Sequence, residues 1–363
     1  MAREFLLGGF KVGTDYPPIF FAEIGSYFNG DFELAKYLVK RIIEARDAVS
    51  HQPVVLKTEI LNNAEICLLD ETEETYTDKN GQIKKENYRT LIERKILPLD
   101  SYEKLFRIIS DSNMPFVVSV YDFEAAEFAA THGAAALKIA SSNIVHIPLI
   151  RYAATFKLPL VIDTGRSSLS EVFRAVDTAR KAGCYDIIIQ HSPDGHPALP
   201  EAHNLRLLQT YLQCFDLPVG LSDHHVGLEM LYPSIALGAS VLEKGVHLYP
   251  EELDQDISHT MALEDLLKAL QLTYDCWIAL GKGERDLKQK IKGVIGTSQR
   301  QCLIAKHDLI LGDRINLDTI RFAFPCRGIP VENWDLVEGW KIAEAIPKNS
   351  PVTWQHISKS NDT

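Results

Sequence analysis

The chain has 363 residues, 46% hydrophobic and 24% charged, an ordinary globular composition that excludes disordered and collagenous classes. Lys and Arg number 38 and Asp and Glu 49, a net charge of −11 with no basic tract, which argues against nucleic acid or an anionic membrane as main partner. No apolar run reaches the ~18 residues of a membrane helix, the start MAREFLLGGFKVG lacks a signal peptide's apolar stretch, and six scattered cysteines without C-x-x-C spacing predict free thiols in a reducing cytoplasm.

Eight short apolar segments rich in Val, Ile and Leu read as strands buried on both faces: 19–25, 54–60, 115–121, 136–141, 158–165, 186–192, 218–225 and 241–248. Amphipathic helices are predicted between them at 33–45, 101–110, 123–132, 169–183 and 263–280. The first carries Leu34, Tyr37, Leu38, Ile42 and Ile43 on one stripe. Eight strands with helical crossovers predict an α/β fold, a parallel (β/α)8 TIM barrel over residues 1–282, with an open doubly wound sheet as the alternative. Residues 61–100 break the rhythm. They are charged and turn-prone at Lys79-Asn80-Gly81, and read as a surface excursion, a lid or a subunit contact. After a polar linker at 283–297, residues 298–363 read as a small separate domain. Its strand-like pieces are CLIAKHDL, TIRFAF and PVTWQHI, and its helix-like stretch is 331–346.

A barrel enzyme carries its site at the C-terminal strand ends. Glu23, Lys57, Lys138, Asp163, His191, Ser222, His224 and Glu243 each follow an apolar run near such an end. So many polar groups from separate strands predict a polar pocket on one rim. Lys57 and Lys138 are each a lone cation in an apolar strand, suited to a small, multiply charged anion such as a phosphorylated carboxylate. The alternative is internal pairing of each with Glu23 or Asp163. Ser141, Ser142 and Thr164-Gly165 follow their strands directly and supply hydroxyls and N–H groups for an anion cradle. Strand alternation puts Ser222 and His224 on one face, and Glu243, Gly245 and His247 on one face of the next strand. Facing His224 and His247 could bind a divalent metal, or each could be a satisfied rim histidine.

Taken together, these segments resemble the N-acetylneuraminate (sialic acid) synthase family and its relatives that make other nonulosonic acids. Ala22-Glu23-Ile24-Gly25-Ser26-Tyr27-Phe28-Asn29-Gly30 is similar to the family's AEIG-x-N-H-N-G, and Val55 to Glu59 to its AVKFQT. KIAS is intact at Lys138 to Ser141, followed by Pro148-Leu149-Ile150. Asp163-Thr164-Gly165 looks like STG, Gly220 to Gly227 like GYSDHT-x-G, and Glu243-Lys244-Gly245 like EKH. Gln301 to Asp313 resembles the start of the family's antifreeze-like SAF domain, so the likeness spans roughly 19–350.

The resemblance implies a (β/α)8 barrel with a small C-terminal SAF domain, condensing phosphoenolpyruvate with a sugar aldehyde such as N-acetylmannosamine or a related amino sugar. It implies that Lys57, Lys138 and Ser141 hold phosphate and carboxylate and that Glu23 contacts substrate or moves a proton. It further implies that Asp256 orients the acceptor or a metal water, and that Mn2+ or Mg2+ polarises the aldehyde. It also implies a domain-swapped homodimer in which the SAF domain of one subunit caps the partner's barrel. The departures fall on the metal and acceptor half. The second metal histidine is Gly245, with His247 on the same strand face about 6–7 Å further along. The first-loop Asn-His pair is Tyr27-Phe28, the acceptor-flanking Asn and Tyr fall at Asp194 and His196, and the SAF arginine position is Phe324, with Arg327 three residues on.

Overall fold

The computed structural model describes residues 4–249, 254–284 and 300–359. The chain divides into two compact units, residues 1–283 and 284–363. Most of the expected linker, 285–297, lies outside the described residues.

The first unit is a closed barrel of eight parallel strands: β1 Ile19–Gly25, β2 Val54–Glu59, β3 Phe116–Val120, β4 Ala136–Ile139, β5 Leu160–Asp163, β6 Ile187–His191, β7 Val219–Ser222 and β8 Ala239–His247. Each pairs in parallel with its successor, and β8 closes onto β1. An open sheet is thereby excluded. Nearly every strand residue is buried, because one side meets the helix layer and the other the barrel interior. Eight crossover helices surround it: α1 Phe32–Ala48, α2 Leu99–Asp111, α3 Phe123–Thr131, α4 Ile147–Thr155, α5 Leu169–Lys181, α6 Leu207–Phe215, α7 Leu231–Ala236 and α8 Leu266–Leu280. Local chemistry sets their starts. The Asp31 carboxylate accepts from the N–H groups of Glu33 and Leu34, and Ser168 with Glu171 forms a capping box. The sequence reading missed α4, α6 and α7. They run only 9, 9 and 6 residues, although α3, also of 9, was read.

The closed end of the barrel is apolar. Ile19, Phe21, Val55, Val117, Val161, Ile188 and Val241 meet in its interior. A hairpin the sequence reading missed, Phe5–Leu7 with Phe10–Val12, adds Leu7 and Val12 to that cluster. Its turn is Gly8-Gly9, with φ of 56° and 89°, the left-handed pair that two-residue hairpin turns demand. At the other end, residues 61–100 fold over the strand C-termini. A hairpin (Glu73–Thr77 with Ile83–Asn87) leads into a helix, Tyr88–Lys95, around a small core of Leu61, Cys67, Tyr76, Leu91 and Ile92.

The second unit pairs Cys302–Ala305 with Ile320–Ala323 and Lys341–Ile342 with Ile357–Ser358, over a core that includes Leu303, Leu309, Ile315, Ile329 and Val352. The helix expected at 331–346 is not formed. A 3-10 turn and one helical turn end at Val337, and Gly339 at φ 81° redirects the chain into a strand. The expected third strand, 351–357, is mainly a 3-10 turn at Trp354–His356.

Candidate active site at the barrel mouth

Strand register assembles a ring of polar side chains above the apolar layers. Glu23 on β1 is in register with Lys57 on β2, Ser119 on β3 with Lys138 on β4, and Ser222 on β7 with Glu243 on β8. The ring is wired by charge. Lys57 Nζ donates to Glu23 Oε1 in a very short contact and lies 3.6 Å from Glu243 Oε1. Lys138 Nζ lies 2.7 Å from Glu243 Oε1, 2.9 Å from Asp163 Oδ2 and 3.5 Å from Ser222 Oγ. Gln190 Nε2 donates to Glu243 Oε2 at 3.1 Å, and Ser192 donates to Asp163. Both lysines are therefore paired with interior acids, and both also line an open chamber.

That inner chamber has a volume of about 170 Å³. Its walls include Glu23, Lys57, Ser119, Lys138, Ser141, Ser142, Asp163, Ser222 and Glu243 on the strand side, and Tyr27, Glu59, Tyr121, His196, His224, Asp256 and His259 nearer the mouth. Ser141, Ser142, His196, His224 and Gln255 are shared with an outer chamber of about 560 Å³. The far wall of the outer chamber is the inserted hairpin and helix (Glu74, Tyr76, Ile83, Tyr88), and its rim holds Arg166, bonded to Asp194. The excursion predicted at 61–100 is thus a wall of the site's mouth.

Burial dominates the electrostatics. It pushes the Glu23 carboxyl up to about 7, although Lys57 pulls it down. Burial acts the same way on Glu243, but there Lys138 and Lys57 outweigh it and hold the group at about 2. Lys57 and Lys138 are also buried, yet the surrounding carboxylates keep both ammonium groups charged. Burial drives the His224 and His259 imidazoles well below their ordinary value, with neighbouring cationic groups adding to the effect, so both are neutral. The arrangement is a pair of fixed cations beside one permanent carboxylate and one acid that holds its proton near neutrality. It can bind an anion and transfer a proton.

Of the residues singled out from the sequence, Glu23, Lys57, Lys138, Ser141, Ser142, Ser222, His224, His196 and Asp256 all line the inner chamber. Asp194 lines the outer chamber. Thr164 is spent on backbone, its hydroxyl bonding the Gln190 carbonyl. His191 points away from the chamber and bonds the His203 carbonyl; Gln190 takes the inward place. His247 is not part of the chamber wall, and its Nδ1 meets the Thr260 hydroxyl at 2.8 Å. Arg327 belongs to the second unit. The sequence reading missed Tyr27, Glu59, Ser119, Tyr121, Gln190, Gln255 and His259. Alternation from Lys57 would have flagged Glu59; Gln190 faces Asp163 only through the β5–β6 register, and no local pattern announces His259.

The pair His224 and His247 is not assembled at the chamber. However, the Nδ1 atoms of His224 and His259 are both buried without a hydrogen-bond partner, and the two ring centres are 4.5 Å apart. Neutral, unpartnered imidazoles of that kind fit a divalent cation.

A closed barrel with two buried lysines at its strand ends under a polar mouth defines a (β/α)8 barrel of the enzyme kind. More particularly, residues 45–285 match the NeuB family and residues 300–358 the SAF domain, so the chain belongs to the NeuB family and is an enzyme. It is 27% identical to the N,N'-diacetyllegionaminic acid synthase of Legionella pneumophila over 95% of this chain and 96% of that one. It is 25% identical to the pseudaminic acid synthase of Helicobacter pylori over 95% and 99%. Its fold matches a crystal structure of N-acetylneuraminic acid synthetase from Leptospira borgpetersenii with a TM-score of 0.68, at 24% identity over 80% of this chain and 94% of that one.

Proposed function

We propose that the protein condenses phosphoenolpyruvate with a sugar aldehyde, giving a 3-deoxy-2-keto sugar acid of the sialic acid type and inorganic phosphate. The observation that carries this reading is the pair of buried ammonium groups, Lys57 and Lys138, flanking one small chamber with serine hydroxyls beside them. Phosphoenolpyruvate presents phosphate and carboxylate to Lys57, Lys138, Ser141 and Ser222, and takes over ammonium hydrogen bonds that interior acids now hold. The acceptor enters through the outer chamber, beside His196, Asp194 and Tyr88. Carbon 3 of the enolpyruvate attacks the aldehyde carbon, and the aldehyde oxygen takes the Glu23 proton. Water adds at carbon 2 and gives one proton to the Glu23 carboxylate, and phosphate leaves by cleavage of its C–O bond to carbon 2, taking the proton of the carbon 2 hydroxyl and leaving the ketone. His224 would hold a divalent cation, which would supply Lewis-acid chemistry at the aldehyde. Asp256, beside His196 at 3.6 Å, orients the acceptor. Two chains associate, with the SAF unit and its Arg327 serving the partner's mouth; light scattering that shows only monomer would remove this clause.

Calorimetry tests the core reading. Phosphoenolpyruvate should bind the wild-type chain, and Lys57→Ala and Lys138→Ala should each abolish the signal. Unchanged affinity in both variants would overturn the reading. A phosphate-release screen against aldoses and amino sugars then identifies the acceptor.

A further inference from the structure

The strand position where a second metal-binding histidine would stand is occupied in another way. A side chain on Gly245 would have its Cβ 2.5 Å from Thr260 Cγ2 and 2.7 Å from the Tyr27 hydroxyl. Tyr27 and Thr260 fill the space that such a histidine would need, so no imidazole can project from residue 245 without rebuilding the wall.

A different imidazole stands close by. His259 lies in the segment after β8, and its ring centre is 4.5 Å from that of His224 and 5.2 Å from that of His196. Two imidazoles bound to one cation at about 2.1 Å, at tetrahedral or octahedral angles, bring their ring centres about 4.5–5.5 Å apart. The His224–His259 spacing falls in that range. Both Nδ1 atoms are buried without a hydrogen-bond partner, a costly state for a polar group unless something satisfies it. Both side chains border the chamber that contains Lys57 and Lys138.

We propose that His259, together with His224, forms the divalent-cation site of this enzyme, the imidazole after β8 replacing the strand histidine that Gly245 excludes. The proposal rests on the synthase reading for its purpose, since the cation would then face the acceptor aldehyde. Among the described residues, no group of three or more His, Cys, Asp or Glu side chains is arranged to hold a metal. The remaining ligands are therefore water and substrate oxygens. A site whose protein ligands are two imidazoles selects cations such as Co2+, Ni2+ or Zn2+ over Mg2+.

The test is a Co2+ titration of the full, chelator-stripped chain, followed by its visible absorption band and by calorimetry, with no turnover required. Wild type should bind one equivalent, and an excess of Mg2+ should not displace it. His224→Ala and His259→Ala should each weaken binding at least tenfold, while His247→Ala leaves it unchanged. His259→Gln, which preserves more of the packing, should show the same loss with a thermal midpoint near that of wild type. The proposal is overturned by no Co2+ binding in wild type, by unchanged binding in both His259 variants, or by loss in His247→Ala. Phosphoenolpyruvate binding to the stripped protein separates the two ideas. If the anion binds but Co2+ does not depend on His259, the metal assignment alone fails. If Co2+ depends on His259 and the anion does not bind, the synthase reading fails and the cation site stands.

Discussion

Glu23 shows how a single environment makes an ordinary carboxylate keep its proton near neutrality. Burial lifts it to about 7 despite the ammonium of Lys57 beside it. A raised value means the proton is retained below 7 and lost above, so turnover that uses this proton should fall as pH rises through 7. The pH–rate profile of Glu23→Gln should lack that limb and run about 10²–10⁴-fold slower. A limb that persists in the variant would assign the proton elsewhere. Linkage gives stability the same direction: what the neutral acid contributes is complete below its ordinary 4.5 and lost as pH passes 7. Gly245 offers a test of a different kind. Gly245→Ala forces a methyl against Thr260 and Tyr27 and should cost about 1–3 kcal/mol, read as a lower thermal midpoint. An unchanged midpoint would show that Tyr27 does not hold its position.

The inserted segment between β2 and α2 does more than cover the mouth. Its helix ends in Lys95, which is buried and lies 2.7 Å from the buried Asp254 carboxylate. The turn of its hairpin sends Lys79 to the carbonyls of Ser258 and Thr260. These two lysines fasten the stretch that carries Asp256 and His259. Burial pushes Asp254 up to about 6 even with Lys95 in place. Lys95→Met leaves that carboxylate without its cation and should destabilise the protein by about 3–5 kcal/mol at pH 8. The Asp254 value then rises further, and stability is lost as pH climbs through it. The deficit should therefore shrink in melts below pH 6. A deficit independent of pH would mean that lost packing, not charge, is responsible. Lys95→Met with Asp254→Leu should recover most of the loss.

The barrel separates its duties along its axis. Apolar layers and the N-terminal hairpin close one end, and every group assigned to chemistry lies at the other. Leu7→Ala removes a fully buried side chain at the closed end and should cost about 2–5 kcal/mol in denaturant unfolding. Phosphoenolpyruvate affinity, measured by calorimetry at a temperature where the variant is folded, should not change. A parallel loss of affinity would show that the two ends are coupled.

The eight strands, their parallel closure and the two lysines were legible because each is a local pattern. A run of Val, Ile and Leu interrupted by one Lys reports both burial and an inward polar position, and the spacing of such runs counts the barrel. The short helices α4, α6 and α7 went unread although α3, also of nine residues, did not, and in residues 331–346 a glycine turn ended a helix-like stretch. The site's outer half depended on contacts distant in sequence. His259 meets His224 across 35 positions, Lys95 meets Asp254 across more than 150, and Tyr27 fills the space above Gly245. No window of residues encodes such pairings; the last two exist because β8 closes onto β1, and the first because β8 lies beside β7. The residues proposed to hold the anion were thus readable strand by strand, whereas the two imidazoles beside them, one after β7 and one in the segment after β8, are brought together only by tertiary packing.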